Sequence, residues 1–196
     1  MPEFDVLRQT RYWDDVTAGV VLERLSTATE LAFFTDAEVA VARPLLDLLL
    51  GQRDDPLVPV LDLVDTRLAR GETDGWHYDD LPEDGAAWRH TLAGLDEDAQ
   101  SRHRMPFARV GVDVQRALIQ AVQDLAHGGA RWHDYPAGQV WSLWTRYACT
   151  AFYSHPAAWN EIGFSGPAYP RGYLNLGIDR REHWEVPSTY RPPGPA

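Results

Sequence analysis

The chain has 196 residues and a net charge of -11, from 29 acidic side chains against 18 basic ones, all of them arginine. An acid excess of this size without a basic stripe excludes nucleic acid as a partner, because neutralising phosphates needs clustered cations. One cysteine excludes an internal disulfide framework and fits a reducing compartment.

The opening Met1-Pro2-Glu3-Phe4-Asp5 has no basic segment followed by an apolar stretch, so the chain reads as cytoplasmic, without an export signal. Apolar runs such as Leu45 to Leu50 fall well short of the roughly 20 residues a membrane span requires, so no membrane insertion is expected. Residues 1–30 form a weakly patterned arm with one helix around Val16 to Leu25.

Thr35-Asp36-Ala37-Glu38 spells a capping box, in which the Thr35 hydroxyl accepts the Glu38 amide and the Glu38 carboxylate reaches back. Val39, Ala42, Leu45, Leu46 and Leu49 follow with helical period, and Gly51 is placed to end that helix in a left-handed conformation. Asp54-Asp55-Pro56 reads as the start of a second helix, striped by Leu57, Val60, Leu61, Val64 and Leu68 and ended by Gly71. The stretch from Gly71 to Asp84 is a loop.

A third helix runs from Pro82 through Trp88, Leu92, Leu95 and Ala99 to Arg102-His103-Arg104, where Met105-Pro106 breaks it. The fourth spans Val112 to His127 and stops at Gly128-Gly129. The fifth starts near Pro136 and carries Val140, Trp144, Ala148 and Phe152, with Cys149 read as packing in the same apolar run. No window alternates long enough for a sheet. The pattern predicts an all-α fold: a small bundle of about five helices over residues 31–165, the arm at 1–30, and an extended Pro/Gly/aromatic tail at 166–196. Prolines from Pro167 onward forbid continuous helix there.

Catalytic signatures fail on residue grounds. Gly128-Gly129 lacks the third glycine and the preceding strand of a dinucleotide fingerprint, so no cofactor is assigned to this chain. Ser165 in Gly163-Phe164-Ser165-Gly166 is not a nucleophile elbow, because Pro167 stands where a glycine is required. The histidines lack metal-ligand spacing, and no metal is assigned. Convergence of His77, Asp79, His133, Asp134 or His155 would instead make the chain a small metal-dependent enzyme.

Aromatic residues crowd the last third of the chain. Within the fifth helix they read as core, but beyond Gly163 the segment is irregular and stiffened by proline, as an interface is. His155-Pro156 suits a helix start with His155 as N-cap, and Gly163 and Gly166 permit sharp bends before an aromatic strip.

The run Phe152-Tyr153-Ser154-His155-Pro156-Ala157-Ala158-Trp159-Asn160-Glu161-Ile162-Gly163-Phe164-Ser165-Gly166-Pro167-Ala168-Tyr169-Pro170-Arg171-Gly172-Tyr173 resembles the C-terminal signature of the gluconate 2-dehydrogenase subunit 3 family. Phe33-Phe34 before the capping box resembles its opening, so the likeness spans roughly Phe33 to Tyr173. The resemblance implies a non-catalytic accessory subunit, a heterodimer partner of a large FAD-containing flavoprotein of the glucose-methanol-choline class that oxidises a sugar or gluconate. It further implies a cytochrome c subunit in some relatives, and a role in maturing the flavoprotein that a transient assembly chaperone would share. Relatives often carry a twin-arginine signal; here the paired Arg180-Arg181 lies near the C-terminus, where it cannot act as one. The expected partner interface is His155, Trp159, Asn160, Phe164, Pro167, Tyr169, Pro170, Arg171 and Tyr173.

Overall fold

The computed structural model describes residues 4–26, 30–76, 78–175, 177 and 180–186. It is all-α: α1 (Asp15–Glu23), α2 (Asp36–Leu50), α3 (Val60–Ala69), α4 (Asp84–His103), α5 (Val112–His127), α6 (Ala137–Ser154) and α7 (Pro156–Ile162), with short 3-10 helices at Val6–Tyr12 and Phe107–Arg109. The chain divides into two compact units, Ala28–Ala151 and a second formed by Met1–Thr27 together with Phe152–Ala196.

The five expected bundle helices are α2 to α6. Helix α2 begins as its residues dictate, with both halves of the Thr35/Glu38 capping box formed and Gly51 left-handed at the far end. Just upstream, the buried carboxylate of Asp65 on α3 accepts the amides of Ala32 (2.7 Å), Phe33 (3.0 Å) and Phe34 (2.8 Å), which fixes the approach to α2. Arg89 of α4 bonds both Glu38 carboxylate oxygens at 2.7 Å and the Phe33 carbonyl at 2.8 Å.

The start of α3 corrects the expectation that Asp54-Asp55-Pro56 opens a helix. Pro59 disfavours helical geometry at Val58 and stands as the N-cap of the helix that follows. The buried Gln52 carboxamide closes the intervening loop, donating to the Val58 carbonyl at 2.8 Å and accepting its amide at 3.2 Å. Helix α3 therefore starts at Val60, and Leu57 is exposed.

The core of this unit is aromatic. Trp88 and Trp144 are fully buried, with Trp88 edge-on to Phe34 and Tyr147 and Trp144 edge-on to Trp132. The Trp144 indole donates to Thr91 Oγ1 at 3.0 Å, so the polar edge of the ring is satisfied inside. Trp132 belongs to a feature the sequence pattern did not show, a two-stranded antiparallel ribbon of β1 (Arg131–Trp132) and β2 (Tyr135–Pro136) turning through His133 at φ 49°. Two residues per strand are too few to register as alternation.

Cys149 is exposed, which corrects its reading as packing. The buried stripe of α6 is Val140, Leu143, Trp144, Tyr147, Ala148 and Ala151, and Cys149 falls outside that arc.

In the second unit, Asp5 caps the first 3-10 helix and Asp14 caps α1, accepting the Thr17 amide at 2.8 Å. Val6, Trp13, Val21 and Trp159 make a small core, with Phe4, Leu7 and Ala18 packed around it.

Candidate partner-binding surface

The surface is built upward from α7. Pro156 occupies the first turn, where its missing N–H costs nothing, and His155 is the N-cap, its Nδ1 accepting the Ala157 amide at 3.2 Å. The imidazole is buried, and burial pushes its pKa below the ordinary histidine value. Trp159 is also buried: its Nε1 donates to the Tyr153 carbonyl at 2.7 Å and its ring meets Phe164 edge-on at 5.3 Å. Asn160 Oδ1 accepts the Val6 amide at 2.8 Å, tying α7 to the 3-10 helix of the arm.

Gly163 ends α7 at φ 72°, and the Phe164 amide reaches back to the Trp159 carbonyl at 2.9 Å, a Schellman closure. Two residues on, Gly166 (φ 78°) is required by close approach, since a Cβ there would lie 2.4 Å from Trp13 Cζ2. The Trp13 indole donates to the Pro167 carbonyl at 3.0 Å on the same bend.

Beyond it Arg171 holds the chain down. Its guanidinium donates to Gln9 Oε1 (3.0 Å) and the Pro167 carbonyl (3.1 Å), and stacks 3.8 Å over the Trp184 ring. Ser165 Oγ accepts the Val186 amide at 3.2 Å, a structural role. The Glu182 carboxylate accepts the amides of Asn175 and Leu174, which hold its pKa below the usual carboxylate range.

The residues expected at the interface thus separate into two sets. His155 and Trp159 are buried and satisfied, Asn160 is bonded within the chain, and Pro167 and Arg171 are half-buried ties. Outward-facing are Phe164 (43% exposed), Tyr169 (64%) and Tyr173 (50%), with Pro170 and Leu174 beside them. Leu174, at 84% exposure, was missed by sequence reasoning, and its position one residue past Tyr173 was the available signal.

Each described residue of the rival catalytic group is placed by its own local surroundings. His77 lies outside the described residues. His133 sits on the turn between β1 and β2 against the Gly94 carbonyl (3.1 Å) and Asp98 (3.4 Å), His155 caps its own helix, and Asp79 and Asp134 are exposed. No cluster of three or more His, Cys, Asp or Glu is placed to hold a metal among the described residues.

A shallow cleft of about 200 Å³ in the bundle unit is lined by Thr73, Gly75, Trp76, Glu83 and Asp84. Charges beside it are neutralised internally: Asp74 bridges Arg67 and Arg146, and buried Asp84 accepts from Arg146 at 3.3 Å and from the Tyr147 phenol at 2.7 Å. Burial and that bond to Asp84 push the Tyr147 pKa well above the usual tyrosine range. This network ties Arg67, Asp74, Asp84, Arg146 and Tyr147 together inside the bundle unit.

Fold and surface together define an all-α protein that presents apolar rings on a hydrogen-bonded frame. The family model for gluconate 2-dehydrogenase subunit 3 matches residues 36–166, two thirds of the chain, and the chain belongs to that family. Membership implies a non-catalytic subunit of a dehydrogenase complex, with a dehydrogenase subunit as its partner. The match takes in α2 through Gly166, so Tyr169 and Tyr173 lie just past its end. No curated protein and no solved structure gives a match. No helix among the described residues is long and apolar enough to cross a membrane.

Proposed function

We propose that this chain is the accessory subunit of a two-subunit FAD-dependent sugar or gluconate dehydrogenase of the glucose-methanol-choline class, and that it stabilises and matures the catalytic flavoprotein. FAD and the chemistry belong to the large subunit, a cytochrome c subunit is an additional electron-transfer partner, and the complex works in the cytoplasm. The exposed free thiol of Cys149 supports that compartment, where it stays reduced.

One observation carries the reading. Phe164, Tyr169 and Tyr173 project from a frame tied together within the chain, through Asn160 to Val6, Trp13 to Pro167, and Arg171 to Gln9 and Trp184. Rings fixed in advance lose little conformational entropy on docking, which is the economy an interface of tyrosines exploits. Burying this strip on the flavoprotein covers apolar surface that water otherwise wets.

The test is co-expression of the large flavoprotein with and without this chain. Higher solubility, flavin content and activity with the chain, and purification at fixed stoichiometry, are expected. Equal values in both cases overturn the reading, and an effect on folding without stable co-purification marks a transient chaperone instead.

A further inference from the structure

Helix α1 buries only Val21 among its nine residues, seated with Val6, Trp13 and Trp159. At 3.6 residues per turn, Val16, Gly19, Val20 and Glu23 fall together on the opposite side, at i, i+3, i+4 and i+7. Val16 is 75% exposed and Val20 is 50% exposed. A lone exposed valine needs no explanation, but two on one helical stripe form a patch.

Gly19 sharpens the point. Glycine in a helix interior costs about 1 kcal/mol relative to alanine. A Cβ built at Gly19 would meet nothing within 4 Å, so no packing inside this chain requires its absence. Its helical neighbours Val16, Thr17, Val20 and Val21 are β-branched and add no helix propensity to offset the loss. A bare backbone patch between two valines is useful to something outside, because the distance at which two elements pack is set by the side chains at the contact.

The occupant follows from charge and family. In a contact between two copies through this helix, Asp15 and Glu23 would stand on both sides of the seam and meet like charge. The family supplies a dehydrogenase subunit. Met1–Thr27 and Phe152–Ala196 are close to balanced in charge, whereas the acid excess falls almost wholly in Ala28–Ala151, and interface cores are depleted in charge. The same unit holds Phe164, Tyr169 and Tyr173, the exposed rings assigned to docking.

We infer that the α1 seam of Val16, Gly19 and Val20 is a second docking contact for the dehydrogenase subunit, receiving an apolar strip bordered by arginine or lysine that meets Asp15 and Glu23. The inference rests on the accessory-subunit reading.

It is tested with the full-length chain and the large dehydrogenase subunit of the same source, measuring the affinity of the purified pair. Val16→Glu/Val20→Glu and Gly19→Leu each weaken the pair about ten-fold or more. Met105→Glu, at an exposed apolar position in Ala28–Ala151, leaves affinity unchanged. Gly19→Ala raises the melting temperature of the isolated chain yet weakens the pair, a divergence no purely internal role produces. Wild-type binding with unchanged affinity in the seam variants overturns the seam and leaves the subunit reading standing. A wild-type chain that does not bind the large subunit overturns both. Self-association of the isolated chain that Val16→Glu/Val20→Glu abolishes assigns the seam to a second copy and overturns the inference.

Discussion

The amide of Val6 donates to Oδ1 of Asn160 at 2.8 Å, joining two residues 154 positions apart. The bond seats a fully buried valine beside Trp159 and binds the arm to the helix that carries the aromatic strip. Asn160→Ala leaves that amide without its partner and is expected to cost about 1–2 kcal/mol. Asn160→Asp keeps the acceptor oxygen and is expected to cost less. Thermal unfolding of both variants, with hydrogen exchange at the Val6 amide, checks the contrast.

Asp65 is expected to be the most sensitive acid in the bundle. Its carboxylate is 1% exposed and accepts three consecutive backbone amides, from Ala32 to Phe34. Asp65→Ala strands all three donors, and hydrogen bonds to a charged acceptor are strong, so a loss of about 3 kcal/mol is expected. A denaturant midpoint shifted by less than that of Asn160→Ala would show that the segment before α2 does not depend on this carboxylate.

Much of the bundle was legible because its signals are local. Thr35, Glu38 and Gly51 state both ends of α2 within the residues that form it, and His155-Pro156 does the same for the start of α7. The start of α3 was misplaced because acids before Pro56 outweighed the restriction that Pro59 puts on Val58. Long-range partners were invisible: nothing near Asn160 or Arg171 announces that Val6, Gln9 and Trp184 meet them. At the candidate surface, residue type alone could not separate rings that build the frame from rings that face water. The Val16 and Val20 stripe was readable as an i, i+4 pair, yet the low polarity contrast of α1 hid it.

Tyr147 and Cys149 lie two residues apart on α6 and are expected to respond oppositely. The Tyr147 phenol donates to Asp84, a carboxylate only 4% exposed, so Tyr147→Phe leaves a buried charge short of a partner and costs about 2 kcal/mol. Cys149→Ser changes an exposed position and stays within about 0.5 kcal/mol of the parent. Urea titration of the two variants side by side checks both values.

His155 is expected to give the fold an acid limit. Its Nδ1 accepts the Ala157 amide, which requires an unprotonated nitrogen, and burial disfavours the imidazolium. Its folded pKa lies below the unfolded value of 6.5, so on acidification the unfolded chain takes up the proton first. The contribution is complete above that value and is lost as pH falls through the folded pKa. His155→Asn keeps an N-cap acceptor that does not titrate. The variant's stability is expected to be flatter between pH 7 and pH 5, and parallel curves for the two proteins would refute the assignment.

Tyr169 and Tyr173 separate binding from stability. Both are at least half exposed, and neither belongs to the buried cluster of Val6, Trp13, Val21 and Trp159. Tyr169→Ala/Tyr173→Ala is therefore expected to shift the isolated chain's stability by only about 1 kcal/mol, the main loss being the packing of the Tyr173 ring on Trp184 at 5.4 Å. Trp159→Ala removes a ring from that core and is expected to cost about 3–5 kcal/mol. In co-purification with the large subunit the tyrosine variant should lose the partner while remaining folded, because exposed tyrosines on a fixed frame carry energy only when something buries them. If the tyrosine variant instead unfolds with the tryptophan variant and holds its partner until then, the rings beyond Gly166 serve this chain's own core, and the docking surface lies elsewhere.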